Sequence, residues 1–308
     1  MLQLEEIFCY LDDFCKIFEN IIKAKSLPNS KQKRGKKPGL CLSEIMTILI
    51  MFHLGNHKNF KRYYLEIVCE KHKKDFPGLV RYSTFVSLIK HAVVPLFIFA
   101  KAMRGEETEK YYVDSTKLPI CDNLRIHSNK VFKDMAERGK TSTGWFFGFK
   151  LHLVINENGE IMNFTLTRGN KSDLSVVPQL VDGLKGWLFG DRGYISSKLA
   201  KNLEKNGLEL ITKLKKNMKK RFLDPIKKYF LDKRGIVETV IGHLKRIMHI
   251  DHTRHRSPKN FLAHTFASIA AYAMKPNKPR INLTKRISEV TDEFFENLSA
   301  IGEAQIPT

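Results

Sequence analysis

Residues 111–116 read Tyr-Tyr-Val-Asp-Ser-Thr, a β-rich run in a chain whose preceding residues are helical in pattern. Reading outward from it, Trp145–Ile155 and Ile161–Thr167 are strand-like, joined by Asn156-Glu157-Asn158-Gly159, which has hairpin chemistry. Ser172 or Ser175 caps a helix carrying Val176, Val177 and Leu180, with Pro178 tolerated in its first turn. Trp187-Leu188-Phe189 is a short buried strand ending at Gly190-Asp191. Ser196 caps a helix that ends at Asn206-Gly207, and Leu208–Thr212 is a further strand. Asp232–Met248 reads as one long amphipathic helix. The order is β, β-hairpin, α, β, α, β, α. An antiparallel meander followed by βα crossovers requires an α/β fold, a mixed sheet flanked by helices.

Ahead of the sheet, residues 1–105 form an all-helical domain. Leu2–Ala24 is amphipathic, Ser43 caps a helix ending near Gly55, and further helices run from Phe60 to Lys74 and from Ser83 onward. Short helices with tight turns are compatible with a DNA-binding helix-turn-helix and equally with a plain bundle. The α/β domain occupies 106–275, and residues 276–308 are a peripheral tail.

Composition narrows the function. The 308 residues carry 53 Lys+Arg against 32 Asp+Glu, a net charge of +21. That excess points to a polyanionic partner, nucleic acid first. No apolar run approaches the ~18 residues of a membrane span, the best being Ile45–Leu54 and Ala92–Ala100, the second broken by Pro95. No signal peptide is visible, and a cytoplasmic protein without a membrane partner is expected. The five cysteines form no CxxC pair, which excludes a zinc module or disulfide framework.

Three acids stand where α/β sheets present ligands. Asp114 ends the first strand and Asp191 the short buried one, and carboxyl ends of parallel strands are where such sheets bind. Gly190 and Gly193 leave room for a close approach to Asp191. Glu238 is the third acid. At ~100° per residue, Glu238 lies ~40° and Lys245 ~20° from Arg234, so the three share one helical stripe. Gathered carboxylates repel unless a cation is present. An all-oxygen donor set suits Mg²⁺ or Mn²⁺, and two such ions activate a water or 3′-hydroxyl at a phosphodiester. Arg234 and Lys245 would hold phosphate beside them. Arg192, Lys215, Lys216, Lys219, Lys220 and Arg221 are further phosphate contacts, the last five belonging to a basic loop before the helix. His249, His252 and His255 fit phosphate contact or a basic helix end better than a zinc site.

The segment from about 110 to 275 resembles the catalytic domain of bacterial insertion-sequence DDE transposases. Asp114, Asp191 and Glu238 match the family's acids in order, at intervals of 77 and 47 residues. Arg234, Glu238 and Lys245 match the helix signature Tyr-x2-Arg-x3-Glu-x6-Lys, with Leu231 at the tyrosine position. The GDRGY run around Asp191 and the GNKSD run around Asn170 also resemble the family. The resemblance implies a ribonuclease-H-like fold without a large inserted domain, and metal ligation by the three acids. It further implies metal-dependent cutting of the element's terminal inverted repeats, strand transfer to target DNA, and a homodimer pairing two ends beside the bacterial nucleoid. A non-catalytic DNA-binding protein derived from a transposase is the alternative. A tyrosine recombinase with His243-x2-Arg246 and Tyr272 is a further one.

Overall fold

A computed structural model describes residues 3–25, 39–142, 144–214, 223–251 and 255–281. The N-terminal part is helical. Helix α1 (Leu4–Lys25) turns Ile7, Leu11 and Cys15 inward. Helix α2 (Leu42–Leu54) is buried along most of its length. Its N-cap is Cys41, whose amide donates to Glu44 at 2.7 Å. Ser43, expected as the cap, is instead buried in the first turn, its Oγ 3.0 Å from Asp12. Helices α3 (Phe60–Tyr63) and α4 (Cys69–Lys71) are joined by a π-helical stretch, Tyr64–Val68, so the run ends at Lys71 rather than Lys74.

Helices α5 (Tyr82–Leu88) and α6 (Val93–Ala102) are continuous through a 3₁₀ turn, Ile89–Ala92. Pro95 does not break this run. It sits in the first turn of α6, where a missing N–H costs least. Tyr82–Ala102 is thus long and apolar enough to cross a membrane, which the sequence reading did not foresee. Phe85, Ile89, Ala92, Leu96 and Phe99 are buried in the protein core.

Six strands form one mixed sheet: β1 (Lys110–Cys121), β2 (Glu137–Thr141), β3 (Gly144–Asn156), β4 (Ile161–Arg168), β5 (Gly186–Gly190) and β6 (Leu208–Thr212). β1 runs antiparallel to β3, and β2 and β4 share the other edge of β3. β5 and β6 add in parallel beyond β1. Two strand expectations change. β1 is twelve residues long, so Asp114 stands inside it, because pairing with β3 holds the strand extended to Cys121. β2 was not expected at all, since Glu-Arg-Gly-Lys-Thr lacks an apolar alternation.

One face of the sheet carries α7 (Asp173–Leu180) and α8 (Ser197–Lys205), packed on Tyr111, Val113 and Leu188. Ser196 caps α8 as its sequence implies, accepting from the Leu199 amide. Ser172 is the N-cap residue of α7. The other face carries α9 (Pro225–Asp232), α10 (Gly235–Arg246) and α11 (Pro258–Met274). The expected single helix from Asp232 is therefore two. Asp224 caps α9 by accepting from Ile226 and Lys227, and a turn at Lys233–Arg234 separates it from α10. Helix α11 packs on α2, α6 and α10, and one buried cluster runs from Ile7 to Met274. The boundary drawn at residue 105 falls between α6 and β1, and the core continues across it.

Candidate active site

Alternation along β1 decides what Asp114 faces. Tyr111 and Val113 point to the α7/α8 side, whereas Tyr112 points to the other, its ring stacked on Phe189 at 5.2 Å and its hydroxyl donating to the Phe230 carbonyl. Asp114 has the parity of Tyr112 and so faces α10. The parallel register pairs Tyr112 with Phe189. Asp191 follows Phe189 by two residues, past the last pair of that ladder, and its charge is felt by Asp114. β5 has by then ended at Gly190, and a 3₁₀ turn, Arg192–Tyr194, carries the chain away. β1 runs on past its last pair with β5, to Cys121.

Helix α10 packs against β1. Arg234, at its N-cap, bridges two of the acids. Its Nη2 donates to Glu238 Oε1 at 2.6 Å, and its Nη1 lies 3.7 Å from Asp114 Oδ2. Nη1 is buried and has no hydrogen-bond partner. The Arg234 stripe expected of a continuous helix survives the break, because Arg234 and Glu238 still stand one turn apart. Burial pushes the Asp114 carboxyl up to about 6, opposed by the Ser115 amide (2.8 Å) and by Arg234, with Glu238 and Asp191 pushing it further. Glu238 and Asp191 therefore both act electrostatically on Asp114. The oxygens of the three acids are not drawn in around a single point: among the described residues no three acid, histidine or cysteine side chains stand within reach of one ion.

Lys245, one stripe position along α10, is half-buried. Burial lowers its pKa, Asp251 opposes that, and Lys117 of β1 adds to the lowering. Lys117 was not singled out from sequence, because β1 was expected to stop before it. Arg192 is exposed in the turn after Asp191. Lys215, Lys216, Lys219, Lys220 and Arg221 lie outside the described residues, as does His252. Lys213, two residues before them in the sequence, pairs with Asp232 at 3.5 Å. The flanking glycines differ in use: a Cβ on Gly190 would press on the Tyr194 Cβ at 3.1 Å, while one on Gly193 would meet only open space. Gly190 thus makes room for Tyr194 rather than for an approach to Asp191.

Behind the site, on the α7 face, Lys150 and His152 are buried on β3. Lys150 pairs with Asp173 at 3.1 Å. His152 stands 3.6 Å from the same carboxylate. Asp173, from the GNKSD run, is therefore an anchor for that layer.

The profile of the transposase DDE domain matches residues 104–258, half of the chain. The chain belongs to the DDE transposase family. That family has a mixed sheet flanked by helices, as this transposase does, and its domains use divalent metal ions. No curated protein matches the transposase. The tyrosine-recombinase alternative meets a physical obstacle. Tyr272 is fully buried, its hydroxyl donates to the Gly159 carbonyl at 2.7 Å, and burial pushes its pKa up. A nucleophile for DNA must be reachable and ionisable.

Proposed function

We propose that the transposase binds the terminal inverted repeats of an insertion sequence, cuts the DNA strand at each end and joins the freed 3′-hydroxyl to target DNA. The observation that carries this reading is Arg234 between Asp114 and Glu238, with Asp191 near enough to act on Asp114 electrostatically. Asp114, Asp191 and Glu238 would hold Mg²⁺ or Mn²⁺, with two ions as the preferred count. The donor chemistry, though not the spacing of the three side chains, suits such an ion. The donors are hard oxygens, and Asp114 is pushed toward protonation where a cation would favour its charged form. An ion held by these residues would supply acidification of the attacking water or 3′-hydroxyl and stabilisation of the leaving oxygen.

The chain's own groups do the rest. Arg234 supplies positive charge between Asp114 and Glu238 and keeps one buried N–H donor for a phosphate oxygen. Lys245, near enough to Lys117 to feel its charge, adds positive charge from the same helix as Arg234 and Glu238. Arg192 and the basic loop of Lys215, Lys216, Lys219, Lys220 and Arg221 grip the DNA backbone, drawing on the net charge of +21. A homodimer would hold the two ends together, beside the nucleoid in the cytoplasm.

Purified protein incubated with end-repeat duplexes and Mg²⁺ or Mn²⁺ should nick the strand at the repeat boundary, and EDTA should reduce product at least ~100-fold. Metal-independent cutting would overturn the mechanism. Salt-dependent binding with no cutting under either condition would favour the non-catalytic alternative.

A further inference from the structure

A second cavity, of roughly 830 Å³, lies where the N-terminal helices meet the start of α11. It is large enough for a small organic ligand. Its rim carries Lys58, Lys61 and Arg256, and no acid is among the described residues that line it. Its walls include the rings of Phe60 and Tyr82, and its floor His53 and His264.

The floor has a defined hydrogen-bond polarity. The Met248 carbonyl only accepts, so His53 carries its proton on Nδ1 and donates to it at 2.6 Å. Burial lowers His53 to about 3, so its Nε2 is bare. His264 Nδ1 lies 3.2 Å from that nitrogen and must donate to it. His264 is also held neutral by burial, which leaves its own Nε2 as an acceptor. His249, on the wall, is held at φ 49°, a backbone conformation that side chains other than glycine rarely adopt. Its Nε2 is buried without a partner. Among the described residues these histidines do not stand within reach of one metal ion.

We propose that this cavity binds one nucleotide, with an N–H donor of the base on His264 Nε2 and the phosphate among Lys58, Lys61 and Arg256. The base edge supplies the donor that the floor lacks, the Phe60 and Tyr82 rings offer it stacking surfaces, and the rim neutralises the phosphate. The nucleotide comes either free from solution or as an unpaired unit of bound DNA. Neither source requires the acids around Asp114, so this site and the cutting reaction stand or fall separately.

Calorimetric titration of the full chain tests it. Deoxyadenosine monophosphate should bind saturably at one site. Its analogue with the exocyclic amine replaced by hydrogen should bind about tenfold more weakly, because the His264 acceptor then faces a C–H and is left without a donor. Deoxyadenosine without phosphate should weaken comparably. Arg256→Ala combined with Lys58→Ala should weaken binding at least ~10-fold without changing thermal stability, both side chains being exposed. His264→Phe should remove the preference for the amine. Asp114→Asn should leave binding intact. Displacement by a short single-stranded oligonucleotide identifies DNA as the source, and failure to displace identifies the free nucleotide. No saturable binding, or equal affinity for the analogue lacking the amine, overturns the proposal.

Discussion

Replacing Asp114 with asparagine is expected to abolish DNA cutting and, at pH 7 without metal, to raise the stability of the fold. Both effects have one origin. Asp114 is held at about 6 against an ordinary value of 3.8. The folded chain therefore binds more protons than the unfolded one between those values, so stability falls as pH rises from about 4 to about 6 and is flat above. The shift of about two units corresponds to about 3 kcal/mol, and asparagine recovers up to that amount at neutral pH. Catalytic loss should reach at least ~1000-fold, since a neutral amide cannot replace a charged metal ligand. Thermal unfolding at pH 4.5 and 7.5 beside a cleavage assay checks it. The variant's stability advantage should be present at pH 7.5 and shrink at pH 4.5. A variant that cuts normally, or that is destabilised at pH 7.5, contradicts the account.

The second large effect is on folding. Phe261→Ala should cost about 3–5 kcal/mol, the usual range for emptying a buried aromatic site. Phe261 is 1 % exposed, stacks on Phe149 of β3 at 5.2 Å and meets Phe132 edge-on at 5.7 Å. It sits on α11, which also packs on α2 and α6. The N-terminal helices and the sheet should therefore lose structure together in one shifted transition. Circular dichroism for the helices and tryptophan fluorescence for the sheet, whose Trp145 and Trp187 lie on β3 and β5, would show it. Two separated transitions would contradict the shared core.

How far the sequence carried this picture depends on where each signal lay. Ser196 and the Leu208–Thr212 strand were legible because the cap and the apolar pattern are local. The acids were singled out by strand ends and helical spacing, but Asp114 lies inside β1, and among the described residues the three do not stand within reach of one ion. The length of β1 was not legible. Ser115, Thr116 and Lys117 look like a turn, and only pairing with Leu151, His152 and Lys150 on β3 keeps them extended. β2 is an edge strand with one buried residue among its five, so its sequence carries no alternation. Helix α9 did leave a sign, Asp224 before Pro225, the pattern of an N-cap followed by proline. The cavity at His53 and His264 unites residues more than two hundred positions apart, which no local pattern encodes.

The central claim is that Asp114, Asp191 and Glu238 form a single site for divalent ions. Titrating Mn²⁺ into the wild type and into Asp114→Asn, Asp191→Asn and Glu238→Gln, with bound ion followed by electron paramagnetic resonance, tests it most directly. The account predicts saturable Mn²⁺ binding by the wild type that each substitution weakens at least ~10-fold. Mn²⁺ affinity that is unchanged in all three variants would contradict it.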